Sequence, residues 1–198
     1  MHERLVIATG NLHKYREIAD FLRGVPVQLS HLTDFPPAAP PDESGTTFEE
    51  NAILKARYYA ERFGEPCVAD DSGIAIDALN GEPGIFSARY AGAGCSDDNN
   101  NAKVLAAMQD VPDGKRTARF VCVAALADPA GDIQTVNGVI TGRIASGPRG
   151  THGFGYDPLF IPDGYDATFG ELEPAIKASL SHRSRAFAQI RALLESET

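Results

Sequence analysis

The chain has 198 residues, 43% of them hydrophobic and 23% charged, with a formal net charge of −9. That is globular composition, sufficient for one domain or two joined lobes with a substantial core, and it excludes disorder. So acidic a chain repels a phosphate backbone, which excludes general nucleic-acid binding; a small anion can still be held by a local basic cluster or a divalent metal.

The apolar run Arg4–Thr9 predicts a buried strand ending at Gly10-Asn11. A helix follows from about Lys14, with Tyr15, Ile18, Ala19 and Leu22 at i, i+3, i+4 and i+7. Gly24 ends it, and 25–29 forms a second short strand. The stretch 36-PPAAPP-41 is too short to link independent domains and reads as a loop. Thr46 or Thr47 then caps a helix over 48–63, where Glu49 and Glu50 suit the positive N-terminal end. The run 67–69 predicts a central strand that ends at Asp70-Asp71-Ser72-Gly73. After a Gly-rich stretch come a helix over about 97–108 and two antiparallel strands, 117–126 and 134–144, joined through Asp128-Pro129 and Gly131. A second Gly-rich stretch precedes a strand at 159–161. A last helix starts near Ser181, with Phe187, Ile190, Leu193 and Leu194 on one face. This order predicts an α/β fold, a mixed sheet with helices packed on it.

Cys67, Cys95 and Cys122 are odd in number and never spaced as CxxC, so neither a disulfide framework nor a zinc site is implied, and a cytoplasmic location is expected. No apolar run has signal-peptide or membrane-span length, so no membrane partner is expected.

Four segments can carry chemistry, each with a plainer structural reading. The turn 8-ATGNLHK-14 feeds a helix, so its N–H groups and helix dipole suit a phosphate, with Lys14 adding charge; it also reads as an ordinary capped turn. Glu43, Asp70 and Asp71 suit magnesium, which takes one or two carboxylates and lets a polyphosphate supply the rest. The Asp pair is equally a turn at a strand end, although neighbouring strand residues face opposite ways and so differ in role. Lys55, on the long helix, reads better as part of a solvated face. Ser181-His182-Arg183 puts potential cations at the helix end that disfavours them, which fits either a bound anion or a surface arginine beside a neutral histidine. In 153-GFGYD-157, glycines permit close approach, an aromatic can stack on a base and a carboxylate can accept from ring N–H groups; a tight turn with core aromatics is the alternative.

Taken together, 8-ATGNLHKYREI-18, 43-ESGTTFEENAILKA-56, 69-ADDSGIAIDALNGEPGIFSARYAG-92, 153-GFGYDPLF-160 and the SLSHRSRA run at 179–186 resemble the inosine triphosphate pyrophosphatase family over nearly the full length. The resemblance implies magnesium-dependent hydrolysis of non-standard purine nucleoside triphosphates (ITP, dITP, XTP) to the monophosphate and pyrophosphate. It implies one two-lobed α/β domain over 1–198, with a long mixed sheet, the active site in the cleft between lobes, and a homodimer. Carried over by position, it makes Thr9, Gly10, Asn11 and Lys14 the phosphate-binding turn. Asp71 becomes proton acceptor and metal ligand, Glu43 a second metal ligand and Ser72 a substrate contact. Phe154, Gly155, Tyr156 and Asp157 become the base-binding segment, and Lys177, His182 and Arg183 further substrate contacts. The chain departs from the family pattern at Glu173–Ile176, Ala178 and His152, which bears on substrate preference. The alternatives are a pyrophosphatase for other altered nucleotides and a non-catalytic nucleotide sensor.

Overall fold

The computed structural model describes residues 3–196. Its elements are β1 (Arg4–Ile7), α1 (Leu12–Phe21), β2 (Gln28–His31), α2 (Phe48–Phe63), β3 (Cys67–Ile76), α3 (Asp97–Ala107), β4 (Thr117–Ala127), β5 (Ile133–Ile144), β6 (Phe160–Pro162), α4 (Pro174–Leu180) and α5 (His182–Ser196). The strands form one sheet in the order β2-β1-β3-β4-β5-β6. β1 runs parallel to β2 and β3, while β6 is antiparallel to β5, so the sheet is mixed, as expected. β4 and β5 are joined by a turn that Asp128 N–H closes onto the Asp132 carbonyl at 2.8 Å, too short a link for a parallel crossover.

The chain divides into two compact units. The first collects the residues up to Asp71, Cys122–Gly138 and the residues from Arg183 on; the second holds Ser72–Val121 and Val139–His182. In the first, strand alternation sorts apolar side chains onto two faces. Leu5, Ile7, Val68, Cys122 and Ala124 pack with Ile18 of α1 and Phe187 and Ile190 of α5. Val6, Ala8, Cys67, Ala69 and Ala125 pack with Ala52, Ala56 and Ala60 of α2. The small residues on that second face let α2 lie close to the strands. The second unit has its own core, in which Ile74, Ile76, Val104, Phe120, Phe160 and Phe169 meet.

Caps set the helix boundaries. The Thr47 hydroxyl accepts from Glu50 N–H at 3.1 Å, and Gly64 ends α2 in the left-handed region at φ 68°. α1 begins earlier than its apolar spacing predicts, because the Asn11 side chain accepts from the amides of His13 (2.9 Å) and Lys14 (3.2 Å). β2 falls later than the apolar stretch 25–29. Between α3 and β4, the Arg116 side chain is buried and bonded to backbone carbonyls.

Two expectations are corrected. β3 does not end at the acidic pair: it runs on to Ile76, so Asp70-Asp71-Ser72-Gly73 lies mid-strand. Lys14, Lys55 and Arg183 stabilise the two charges inside the strand. Gly73 lets a neighbouring segment approach the strand closely, since a Cβ there would meet Ser87 Oγ at 2.3 Å and the Gly84 carbonyl at 2.4 Å. α4 was not anticipated; it is too short to show a period, and Pro174 sits at its start.

Candidate active site

In the first unit, the turn after β1 is exposed at Gly10 and Asn11. Thr9 Oγ1 accepts from Asn11 N–H at 3.2 Å, and His31 Nε2 lies 3.2 Å from the Thr9 carbonyl, tying the turn to β2. The first amides of α1 are already capped by Asn11, whereas Gly10 N–H has no acceptor among the described residues. Lys14 reaches from the first turn of α1 to Asp70, with Nζ 3.1 Å from Oδ2.

Asp70 and Asp71 turn to opposite faces of β3, as the alternation predicts. Asp70, only 3% exposed, takes Lys14 and Arg183 Nη2, both at 3.1 Å, on one oxygen. Its other oxygen is buried without a hydrogen-bond partner among the described residues. Burial opposes ionisation of Asp70, but Lys14 and Arg183 outweigh it and hold the carboxyl well below its ordinary range. Arg183 also donates to Glu17 at 2.6 Å and is fully buried, which excludes the surface-arginine reading.

Asp71 faces α2. Lys55 Nζ lies 2.9 Å from its Oδ1 and 3.0 Å from Glu43 Oε1, so two carboxylates separated by 27 intervening residues converge on one cation. The solvated-face reading of Lys55 is therefore overturned: burial disfavours its charge, yet Asp71, Asp70 and Glu43 together raise its pKa above the ordinary value. Burial raises the Asp71 carboxyl more than Lys55 lowers it, so Asp71 holds a proton more readily than a free aspartate. Asn51, one helical turn before Lys55 and fully buried, spans the same place. Its Nδ2 is 3.5 Å from Asp71, and its Oδ1 accepts from Gly45 N–H at 2.9 Å, which anchors the loop that carries Glu43. Sequence reasoning missed both roles; the i, i+4 spacing of an Asn and a Lys on one helix was the available signal.

Among the described residues, no three His, Cys, Asp or Glu side chains come together as a metal cage. Two carboxylates meeting at a cation do fit magnesium that draws its remaining ligands from phosphates and water. Burial pushes the Cys67 thiol up to about 12 and raises Cys122 as well, so neither of these two is a ready thiolate.

In the second unit, the segment 153–157 is pinned from several sides. Asp157, buried, accepts from Lys177 Nζ at 2.6 Å and Phe154 N–H at 2.8 Å. The Lys177 ammonium lies 4.7 Å from the centre of the half-buried Phe154 ring, a cation–π arrangement. Gly153 has φ +75°, and a Cβ there would stand 1.9 Å from Asp157 Oδ2, so only glycine fits. Gly155 donates to Asp97 at 2.7 Å and accepts from Asn101 at 3.0 Å, two α3 residues that sequence reasoning did not single out. The Tyr156 hydroxyl, kept neutral by burial, donates to the Ser87 carbonyl at 2.8 Å. His182 is buried and stacked on Phe120 at 4.7 Å, and Ser72 is half-buried on β3. The structure thus joins Lys14, Asp70 and Arg183, then Glu43, Lys55 and Asp71, in the first unit, and Phe154–Asp157 with Lys177 in the second.

Known proteins share this arrangement of sequence and fold. A protein of Oceanobacillus iheyensis called dITP/XTP pyrophosphatase is 47% identical, covering 98% of this chain and 99% of its own. One of the same description from Geobacter sulfurreducens is 50% identical, covering 95% of this chain and 94% of its own. The solved structure of a HAM1 protein from Coxiella burnetii superposes with a TM-score of 0.90 at 41% identity, over 98% of this chain and 99% of that one. The Ham1 family model matches residues 5–193, and the chain belongs to that family.

Proposed function

We propose that the protein is a nucleoside triphosphate pyrophosphatase that hydrolyses non-standard purine nucleoside triphosphates, ITP, dITP and XTP, to the monophosphate and pyrophosphate. Relatives close to half identical over nearly the whole chain carry the name dITP/XTP pyrophosphatase. The observation that carries the chemistry is the meeting of Glu43 and Asp71 on a single cation at 3.0 and 2.9 Å.

In this reading Glu43 and Asp71 hold magnesium, which when bound neutralises charge on the phosphate oxygens. Gly10 presents its N–H and Thr9 its hydroxyl to the triphosphate, Asn11 holds the turn that carries them, and Lys14 adds its charge. Asp71 takes the proton from water as the water oxygen attacks the α-phosphorus. The bond from that phosphorus to the oxygen bridging to the β-phosphorus breaks, and pyrophosphate leaves with the electron pair. Asp71 suits the task because burial raises its proton affinity. Asp70, held ionised by Lys14 and Arg183, supports the site without exchanging protons. Ser72, Phe154, Gly155, Tyr156, Asp157, Lys177 and His182 bind the nucleoside, with Phe154 as the stacking surface. Arg183 belongs to the same set through Asp70. A 6-oxo purine offers an acceptor where adenine offers an amino donor, so N–H donors favour hypoxanthine and xanthine over adenine.

The whole chain is read as one domain that acts in the cytoplasm as a homodimer. Among the described residues all three cysteines are free and no helix is long and apolar enough to cross a membrane. The test is a turnover panel over ITP, dITP, XTP, GTP and ATP with and without magnesium, scoring pyrophosphate and orthophosphate separately. Magnesium-dependent pyrophosphate from the first three is expected; orthophosphate as primary product sinks the α-phosphorus mechanism.

A further inference from the structure

We propose that the second unit carries a binding site for a phosphate-type oxyanion, in a pocket where Arg116, Arg143 and Arg149 converge. The pocket has a volume of about 290 Å³ and is also lined by Asp113, Ser146 and Asp166. None of these residues belongs to the proposed substrate set.

Arg116 is the anchor. It is only 6% exposed. Nε donates to the Ile144 carbonyl at 2.9 Å, Nη1 to those of Met108 (2.8 Å) and Val111 (3.2 Å), and Nη2 to that of Ala145 at 2.9 Å. A guanidinium has five N–H donors, so one on Nη2 is left over. Arg116 has no carboxylate within ion-pair distance among the described residues. A buried cation that meets only carbonyl dipoles keeps its net charge, and burial of net charge is unfavourable unless an anion accompanies it.

The two other arginines lie nearer the surface and are loosely held. Arg143 sits 3.4 Å from Asp166, whose side chain is fully in water. Arg149 Nε sits 3.4 Å from Glu171, a carboxylate already taken by Thr168 N–H at 2.8 Å. Arg149 Nη2 donates to the Asp166 carbonyl, not to its carboxylate. Three guanidiniums face the carboxylates of Asp113, Asp166 and Glu171, so the formal charges balance and the arginines' advantage lies in their placement around the pocket. Exposed carboxylates are screened by solvent and offset little of the field inside the pocket. Planar N–H forks with spare donors and a nearby serine hydroxyl match the tetrahedral oxygens of a phosphate.

The test is a titration of the full chain with inorganic phosphate, and in parallel with pyrophosphate, following the arginine Nε–H resonances by NMR. These resonances report the pocket directly, so the result stands apart from phosphate binding at the proposed active site. Saturable shifts at Arg116 and Arg149 are expected, absent with chloride at matched ionic strength. Whichever anion saturates at lower concentration identifies the natural size. Arg116 is left intact, since its carbonyl contacts support the fold. Arg149→Gln, at an exposed position, should weaken binding roughly tenfold, the loss of a charge-assisted hydrogen bond. Shifts that chloride reproduces, that never saturate, or that persist unchanged in the Arg143→Gln/Arg149→Gln double variant overturn the site.

Discussion

Both units pair lysine with aspartate, and the surroundings give the pairs different work. In the first unit cations and carboxylates form a network: Lys55 is shared by Glu43 and Asp71, and Asp70 by Lys14 and Arg183. In the second, Lys177 and Asp157 meet at 2.6 Å beside aromatic rings, with Lys177 Nζ 4.7 Å from the centre of Phe154 and 6.0 Å from that of Phe169. A shared network can exchange a partner for phosphate or metal at small cost, because Lys55, Asp70 and Arg183 each keep a second partner. A pair set against aromatic faces serves to fix a loop and hold a flat surface for a base. Identical residue types therefore specify phosphate chemistry in one place and base binding in the other.

Substitutions can break this contrast, starting with the largest expected effect. Asp71→Asn should lower kcat by about 10²–10⁴-fold, the usual contribution of a general base, with little change in thermal midpoint. Near-normal turnover removes Asp71 from the reaction. Its neighbour should behave in the opposite way. Asp70→Asn leaves the half-buried Lys14 without its carboxylate and the buried Arg183 with Glu17 alone, and should destabilise the fold by about 3–5 kcal/mol in chemical denaturation, the range for a broken buried pair. Because the Asp70 pKa is depressed in the folded state, its stabilisation is present above the unfolded carboxylate pKa and is lost as pH falls through the folded one. Asp70→Asn should flatten that acid dependence. Phe154→Ala should raise the KM for ITP about tenfold, one stacking contact, with kcat nearly unchanged; a fall in kcat alone contradicts its role as a base platform. The smallest effect concerns the acid limb of kcat. Asp71 is raised by burial, so it is still protonated where an ordinary aspartate is ionised, and activity should fail at a higher pH than a free carboxyl predicts. A limb at the ordinary carboxylate position assigns the base elsewhere.

Much of the fold was legible because local and tertiary forces agree. The apolar run of β1, the Thr47 cap and Gly64 stop of α2, and the turn residues between β4 and β5 each point to the element that forms. What was illegible depends on partners distant in sequence. β3 looked finished at Asp70 because two acids normally end a buried run, and only Lys14, Lys55 and Arg183 stabilise them there. Lys55 looked solvated because helical spacing gives a residue's face but not what covers it. For the candidate site, strand alternation correctly split Asp70 from Asp71. The support that Asp97 and Asn101 give to Gly155 had no local signature, being made across more than 50 positions of chain.

The doubled acid in β3 also acts as a lock on strand register. Slide the strand by one residue in one direction, and Asp71 takes the place of Asp70 while Ser72 arrives beside Lys55. Slide it the other way, and Ala69 arrives beside Lys14 and Arg183. Either error leaves buried cations facing a neutral side chain, a penalty of several kcal/mol before any apolar mismatch is counted. A single aspartate guards one face of a strand; two in succession guard both, so the residues proposed to serve catalysis and its support also reject misaligned forms of the sheet that holds them.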